Sequence, residues 1–476
     1  MKKRLYIVLL LWSVVAVAFA ESKAPEVFGQ HEGTRNAVVG ALVINAATGE
    51  VVDSYNPDLV QTPASCTKLL STCSALELLG ADYQFSTYIE AAGGAWSANS
   101  GEVTGDLYIR GTGDPTLGSK DLGDRAFLSK WVNALKRKGM TAIHGNIVAD
   151  LSFLSNEGTN PTWQWEDMGN YYAPGISAIA YMDNTMVITL RSAAIGEKVE
   201  IVSTNPSYPG IVFENEIRGA GINYDGAYVN GVAFSPVRYL TGSIPANREM
   251  FGLKGDIPNP GLLLATHLRA ALIEAGIAVD GEVAYTFEPD TAVREVLYTH
   301  LSEPLSEIVK VTNTDSNNLF AESLFRAIGS RASKTKASID NSIDVERVCW
   351  KARGVDLTGA IIHDGCGLSP NNAISARQFV SLLTYMRRSK NFDALYQSLP
   401  VSGESGTLKG VLAKTPLQGR VHAKSGTIAH VRSYAGYIEM PNGETYTFAI
   451  LVNRASCKSR VTKGLIEKYL LAVCGY

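Results

Sequence analysis

Ser65 and Lys68 are the first residues along the chain whose types and spacing could do chemistry together. They stand three positions apart at the start of an apolar-periodic stretch, so a helix would place their Cβ atoms roughly 5–6 Å apart on one face. A serine hydroxyl becomes a nucleophile when a base lies within reach, and a buried lysine of lowered pKa can be that base. The S-x-x-K spacing therefore indicates a nucleophilic serine, although the same pattern also occurs on solvated helix faces.

Two later motifs add groups of the same chemistry. Ser316 and Asn318 form an S-x-N inside a helical pattern, and residues 424–427 form a K-[ST]-G followed by Thr, on an expected edge strand. Taken singly, these motifs also fit an N-cap serine, a turn asparagine and a basic strand end. In the order S-x-x-K, S-x-N, K-[ST]-G they are typical of penicillin-recognising serine enzymes.

The chain resembles one family of those enzymes over nearly its whole mature length. The family is that of the D-alanyl-D-alanine carboxypeptidase/endopeptidases, the class C low-molecular-mass penicillin-binding proteins of the penicillin-binding protein 4 type. The long separation of Lys68 from Ser316 is similar too, since that family carries two extra domains there. Beside the three motifs, the similar stretches are GDLYIRGTGDPT at 105–116, WED at 165–167, YYAP at 171–174, DGCGLS at 364–369, LPVSG at 399–403 and GTL at 406–408.

The resemblance implies a catalytic role for three side chains. Ser65 would attack the carbonyl of a D-Ala-D-Ala peptide bond, and Lys68 would be its base. Ser316 would relay a proton, together with Lys68 and Lys424, to the leaving amine. The implied reaction is acylation of the serine followed by hydrolysis, with no metal or organic cofactor.

The resemblance also implies a set of substrate-binding groups. Asn318 would hold the amide of the acyl side, and Lys424 would supply positive field. The hydroxyls of Ser425 and Thr427 would bind the C-terminal carboxylate of the leaving D-Ala. The backbone N–H groups of Ser65 and Thr427 would form the oxyanion hole.

Three positions depart from the family pattern or raise a question of reactivity. Ser425 stands where threonine is commoner, which keeps the hydroxyl and loses a methyl group. Cys366 stands where the family has serine, as a free thiol or part of a disulfide. Cys66 lies on an apolar helical stripe, which favours a buried structural thiol over a reactive one. The six cysteines permit 15 full pairings and the sequence selects none; it contains neither C-x-x-C nor H-E-x-x-H.

Other polar and aromatic residues leave two interpretations open. Trp163, Trp165, Tyr171 and Tyr172 are typical of core packing in an inserted domain, yet a member could overhang the catalytic cleft as such residues do in relatives. Asp364 fits a turn residue or a structural anchor.

Secondary-structure patterns place these motifs on definite elements. A hairpin is expected over 37–60, followed at once by a helix capped by Thr62, with Pro63 first and Gly80 at its end. The middle of the chain alternates short β-like runs with turns and shows one clear helix, 260–276. Helices are then expected over 305–328, 340–353, 375–388 and about 461–473, with a hairpin of 433–440 and 446–452 before the last of them.

This order predicts a multidomain α+β fold with nested domains. The catalytic domain, β-lactamase/transpeptidase-like, has an antiparallel sheet built from both ends of the chain and flanked by helices. It is split between 21–82 and 297–476. A mainly β insertion forms a second domain from 83–190 and 246–296, and residues 191–245 form a third domain nested inside it.

Residues 1–20 read as a cleavable export signal. A Lys-Lys-Arg head precedes a short apolar run ending in Ala-Phe-Ala, which is short for a membrane span. Cleavage changes the formal charge from −3 to −6. Without basic excess, nucleic acid is excluded as an expected partner. The sequence predicts a periplasmic protein that meets a membrane only through its signal.

The expected partners are peptidoglycan stem peptides ending in D-Ala-D-Ala or carrying D-Ala cross-links, with β-lactams as inhibitors. Two alternatives stay open: a β-lactamase-like hydrolase, which needs an additional deacylating base, and a catalytically silent cell-wall-binding homologue. The intact S-x-x-K and K-[ST]-G lysines argue against the silent homologue.

Overall fold

The structure, a computed structural model, describes residues 21–288, 293–333 and 336–476. The predicted export signal, 1–20, lies outside the described residues. No helix in these ranges is long and apolar enough to cross a membrane. The helices are α1 Lys23–Gly29, α2 Thr67–Leu79, α3 Phe127–Arg137, α4 Pro260–Glu274, α5 Leu305–Thr314, α6 Asn318–Ser333, α7 Ile339–Ala352, α8 Ala376–Met386, α9 Phe392–Ser398 and α10 Ser459–Val473.

The strands are spread over the whole chain and are short in its middle part. They are β1 Val38–Asn45, β2 Val51–Tyr55, β3 Ser86–Ala92, β4 Trp96–Ser97, β5 Glu102–Val103, β6 Leu107–Arg110, β7 Ala142–Ile143, β8 Ile147–Asp150, β9 Thr185–Ser192, β10 Glu200–Asn205, β11 Val212–Asn215, β12 Arg218–Ala220, β13 Gly226–Asn230, β14 Val237–Pro245, β15 Arg248–Asp256, β16 Ala278–Val279, β17 Val283–Thr286, β18 Arg294–Leu301, β19 Val421–Ile428, β20 Val431–Glu439 and β21 Thr445–Asn453.

One five-stranded sheet joins the two ends of the chain, as the sequence predicts. Its order is β19-β20-β21-β1-β2, and every neighbouring pair is antiparallel. Helices α1 and α10 cover one face, and α2 and α8 lie against the other. Because β19 is an edge strand, the K-S-G motif that it carries has one backbone edge free of a neighbouring strand.

The middle of the chain forms four further sheets. A mixed sheet has the order β17-β8-β6-β3-β18, and smaller sheets are β16-β7-β5-β4, β10-β9-β15 and β11-β14-β12, with β13 also paired to β14. These pairings support the nested-domain division, which stays a prediction; β18 crosses its boundary at 296/297. Helix α3 was not predicted, because its first turn lacks a side-chain cap and is preceded by a run of turn residues.

The predicted continuous helix over 305–328 is wrong. The structure breaks it into α5 and α6, and Ser316 between them has a φ of +61°. A non-glycine residue in the left-handed region ends a helix, since the next peptide then points in another direction. The break turns the S-x-N motif into a corner, with Ser316 at its tip and Asn318 starting α6.

The buried carboxyl of Glu346 on α7 allows a test of the packing between α7, α6 and α2. Its side chain is buried where α7 packs against α6 and α2, and burial, with Glu322 nearby, raises its pKa to about 8. The folded state therefore binds a proton that the unfolded chain releases above its ordinary glutamate pKa. Stability is lost as pH rises from about 4.5 towards 8, by about 1.4 kcal/mol per pH unit.

Glu346→Gln is expected to remove this loss. The difference in free energy of unfolding between the variant and the wild type should widen in favour of the variant from pH 5 to pH 8. Urea unfolding at several pH values measures it, with exposed Glu303→Gln as the control. A difference that stays constant with pH would contradict the buried, proton-binding carboxyl.

Candidate active site

Ser65 lies in a 3-10 turn, Ala64–Cys66, that runs directly into α2. The predicted cap is wrong: the hydroxyl of Thr62 instead donates to the carbonyl of Pro370 at 3.0 Å, and Pro63 precedes the turn. Ala64 has a φ of +47°, so the chain enters the turn through a conformation that L residues rarely adopt. This tight entry places the Ser65 side chain just before the N-terminus of α2, where it is partly exposed.

Two glycines make room for this turn. A Cβ on Gly426 of β19 would lie 2.4 Å from the carbonyl oxygen of Pro63, and one on Gly367 would lie 2.0 Å from that of Ala64. Both distances are far below van der Waals contact, so a side chain at either position would push the turn away. The glycines of K-S-G and of D-G-C-G-L therefore both allow close packing: they let β19 and a loop approach the turn that carries Ser65.

Lys68 is fully buried and its ammonium group has three acceptors around it. Its Nζ lies 3.1 Å from Ser65 Oγ, 2.5 Å from Asn318 Oδ1 and 2.6 Å from the backbone carbonyl of Cys366. The amide orientation of Asn318 is set by its other end, where Nδ2 donates to the carbonyl of Tyr172 at 2.7 Å. The structure thus brings S-x-x-K and S-x-N residues into direct contact.

This arrangement prepares Lys68 to accept a proton from Ser65. A neutral amine has two N–H donors and one lone pair. Asn318 Oδ1 and the Cys366 carbonyl can only accept, so both N–H groups are drawn to them. The lone pair is left facing Ser65, whose hydroxyl can then donate to it.

Lys424 forms the second half of the site. Its Nζ lies 3.0 Å from Ser316 Oγ and 2.8 Å from the carbonyl of Ser425, and the side chain is fully buried. Ser316, at the break between α5 and α6, therefore contacts the lysine of the third motif, while Asn318 two residues later contacts the lysine of the first. The S-x-N corner bridges the two lysines.

Burial lowers the pKa of both lysines. For Lys424 the pKa falls to about 7, because burial is reinforced by the positive charge of Lys68. For Lys68 burial again lowers the pKa, opposed by the nearby Cys366, Asp364 and Glu322. Two ammonium groups this close disfavour each other's charge, so the two lysines titrate as a coupled pair.

The remaining K-S-G residues lie along β19. Ser425 is buried and its hydroxyl donates to Thr407 Oγ1 at 2.8 Å, while Thr427 is exposed. Thr407 belongs to the G-T-L stretch of the resemblance, but sequence reasoning assigned it no role. Its position beside Ser425 adds a further hydroxyl to this end of the site.

Asp364 is a structural anchor rather than a simple turn residue, the two interpretations that the sequence left open. Its carboxylate accepts from the backbone N–H groups of Gly367 and Ser369, each at 2.7 Å, from Asn372 Nδ2 at 2.7 Å and from Trp163 Nε1 at 2.9 Å. The loop that it holds presents the Cys366 carbonyl to Lys68. Because a backbone carbonyl makes that contact, cysteine serves there as well as serine.

Glu322 on α6 holds the same loop from the other side and was missed by the sequence analysis. Its Oε1 accepts from the N–H groups of Gly365 and Cys366 at 2.7 and 2.8 Å, and burial raises its pKa to about 7. The sequence signal that could have found it was an acidic residue within the apolar stretch 319–325.

Glu322, Asp364 and Cys366 bring potential metal-ligand atoms within 4.8 Å of one another. The donors already bound to the two carboxylates fit a loop anchor better than a metal site.

Asp364→Ala is expected to lower the free energy of unfolding by about 3 kcal/mol or more, because it leaves four buried donors without their acceptor. It should also abolish labelling by a fluorescent penicillin, because the Cys366 carbonyl loses its position. Chemical denaturation and gel fluorescence measure the two effects, with exposed Asp356→Ala as the control. Unchanged stability would contradict the anchoring role.

The six cysteines are free thiols in the structure. Cys66 is fully buried, and its Sγ donates to the carbonyl of Lys424 at 3.3 Å. Burial raises its pKa, so the thiol is protonated and unreactive at neutral pH. The prediction of a structural thiol beside the nucleophile is confirmed.

The aromatic cluster divides between buried and exposed positions. Trp163 is buried against Asp364, whereas Trp165 and Tyr171 are about half exposed. Tyr171 and Tyr172 line a cavity of about 600 Å³ that opens beside Ser316 and Asn318. The cavity leads from the S-x-N corner into the space between the helical part and the inserted β part.

Comparison with known proteins shows the family of the chain. Residues 26–467 match the family model of the D-Ala-D-Ala carboxypeptidase 3 (S13) family. The chain belongs to this family. It is therefore a serine-type D-Ala-D-Ala carboxypeptidase with a penicillin-binding-protein fold, as the resemblance implies.

Individual relatives agree with the family. A D-alanyl-D-alanine carboxypeptidase of Actinomadura sp. strain R39 is 31% identical over 429 residues, covering 88% of this chain and 78% of the relative. The crystal structure of penicillin-binding protein 4 from Haemophilus influenzae is similar with a TM-score of 0.82 and 25% identity, over 95% of this chain and 99% of that one. The same Haemophilus protein has also been solved in complex with a β-lactam, and that structure is similar with a TM-score of 0.77.

Proposed function

We propose that this S13 carboxypeptidase acts on peptidoglycan stem peptides through an acyl-enzyme on Ser65, and that it cuts D-Ala cross-links as well as terminal D-Ala. The observation that carries the proposal is the contact of Ser65 with a buried lysine whose two other partners are acceptors only. The reaction needs no metal or organic cofactor. The proposed location is the periplasm, reached through the export signal.

The first half-reaction follows from the lysine geometry. Neutral Lys68 takes the proton of the Ser65 hydroxyl while Oγ bonds to the carbonyl carbon of the penultimate D-Ala. The N–H groups of Ser65 and Thr427 stabilise the oxyanion that forms. When the C–N bond breaks, protonated Lys424 gives a proton to the leaving amine through Ser316, which it contacts, and Lys424 becomes neutral.

The second half-reaction reverses the roles of these groups. Water replaces the departed D-Ala, gives a proton through Ser316 to Lys424, which has become neutral, and attacks the acyl carbon. Lys68 returns its proton to Ser65 as the C–O bond breaks. The base of the first step is the acid of the second, which keeps the proton count balanced.

Substrate orientation would come from the remaining motif residues. Protonated Lys424, with the hydroxyls of Ser425 and Thr427, binds the terminal carboxylate of the leaving D-Ala. Asn318 holds the acyl-side amide. The cavity of about 600 Å³ beside Ser316 leaves room for more than a dipeptide, which supports cleavage of cross-linked stems. The expected inhibitors are β-lactams, whose carboxylate and strained amide would present the same groups.

Product analysis on purified muropeptides tests the proposal. The enzyme is expected to release D-Ala from an uncross-linked pentapeptide and to convert a D-Ala-cross-linked dimer into monomers. A folded enzyme that acts on neither substrate would contradict the proposal. Cleavage of the pentapeptide alone would contradict its endopeptidase part.

A further inference from the structure

The outer face of the sheet formed by β11, β12, β13 and β14 carries exposed tyrosines. In the β13/β14 pair, Val229 lies opposite Leu240, and both are buried. Because side chains alternate along a strand, Tyr228 and Tyr239 lie on the opposite, outer face, where they are 49% and 46% exposed. They are diagonal neighbours across the two strands, about 7–8 Å apart.

Two more aromatic residues extend this row. The Trp165 ring, 52% exposed, lies 6.2 Å from the ring of Tyr239, and the Trp165 carbonyl accepts from Asn230 Nδ2. Tyr224, 62% exposed, lies against Gly226, two residues before Tyr228 on the same face. We call Trp165, Tyr224, Tyr228 and Tyr239 the aromatic face. Several exposed aromatic rings on one face are uncommon on a protein surface and are typical of a binding surface.

The aromatic face is continuous with the catalytic cleft. Tyr171, Tyr172 and Lys254 line the cavity beside Ser316, and the same three residues line a second cavity of about 330 Å³. Tyr228 lines that second cavity too. A ligand that extends from the cavity beside Ser316 along this path therefore reaches Tyr228, one member of the aromatic face.

We propose that the aromatic face binds the sugar backbone of the peptidoglycan strand whose stem peptide occupies the active site. The inference rests on the proposed function, since a stem peptide is covalently joined to that backbone. A five-residue stem spans at most about 18 Å, so the sugars must lie close to the cleft during cleavage.

The chemistry of the surface fits amino-sugar rings. Such rings present flat C–H faces, which pack on aromatic rings, and hydroxyl edges, which need hydrogen-bond partners. Glu214 lies beside Tyr239 in the strand register, and Asp225 lines the cavity next to Tyr228. Their carboxylates can accept from sugar hydroxyls, and the tyrosine hydroxyls can both donate and accept.

A double variant, Trp165→Ala with Tyr239→Ala, tests the inference, with Tyr228→Asn as a milder second variant. Tyr476→Ala is the matched control, since this tyrosine is equally exposed, at 49%, and follows α10 on the catalytic sheet. Binding to glycan strands stripped of their stem peptides is measured by pull-down. D-Ala release is measured on intact cell-wall sacculi and on a free pentapeptide.

Both variants are expected to bind stripped glycan about tenfold or more weakly than the wild type, because truncated aromatic anchors carry most of the energy of such a surface. Their kcat/KM should fall on sacculi and stay at the wild-type value on the free pentapeptide, which also shows that they are folded. Tyr476→Ala should behave as the wild type in all three assays.

Wild-type glycan binding in both variants would overturn the inference. A loss on sacculi without a loss of glycan binding would overturn it too, and would assign the face to a protein or peptide partner. Failure of the wild type on the free pentapeptide would instead contradict the proposed function, while glycan binding by the aromatic face would still be read out separately.

Discussion

Ser65→Ala is expected to lower kcat/KM for D-Ala release from a pentapeptide by about 10⁴-fold or more. The alanine has no oxygen to form the acyl-enzyme, so the reaction can proceed only by direct attack of water. What remains is the acceleration from binding and from the oxyanion hole. Because the side chain is small and partly exposed, the change should leave the melting temperature close to that of the wild type.

Quantifying free D-Ala against time measures this loss. Ser54→Ala is the matched control, because Ser54 is exposed on β2, at the far edge of the same sheet. The control should keep wild-type activity. Substantial D-Ala release by folded Ser65→Ala would show that another residue is acylated.

Lys68→Met is expected to lower kcat/KM by about 10³-fold, the usual contribution of a positioned general base. Methionine has a similar length and volume, so the buried site is filled without a clash. The Ser65 hydroxyl loses its proton acceptor. Exposed Lys390→Met is the control and should not change the rate.

The pH profile separates this role from a structural one. In the wild type, kcat/KM should rise with pH as Lys68 loses its proton, at a pH below the ordinary lysine pKa because burial lowers it. It should fall again above a pH of about 7, as Lys424 loses the charge that binds the substrate carboxylate. The two limbs belong to the coupled pair of lysines. Lys68→Met should lack the rising limb; a variant that keeps it would contradict Lys68 as the base.

The sequence predicted which side chains meet at the site, because side-chain chemistry and motif order carry that information; their catalytic roles stay predictions. Ser65, Lys68, Ser316, Asn318 and Lys424 do meet in the structure. The sheet joining both chain ends was also predicted, since its strands alternate clearly and its terminal hairpin has a strong turn.

What the sequence missed depends on tertiary contacts. The helical period of the sequence continues across 315–317, so the sequence does not predict the break at Ser316. The break lies at the corner that contacts both lysines. The sequence also cannot predict that the backbone carbonyls of Cys366 and Tyr172 act as acceptors in the site, because every residue type has such a carbonyl. Their use as acceptors is decided by the two loops that hold them, which lie far from Lys68 in sequence.

The most direct test of acylation at Ser65 is intact-protein mass spectrometry after incubation with benzylpenicillin, followed by peptide mapping. One penicilloyl group should be added, it should map to the peptide that contains Ser65, and it should persist after the free drug is removed. Rapid loss of the adduct would indicate a β-lactamase. An adduct on another residue, or no adduct on folded protein, would contradict Ser65 as the nucleophile.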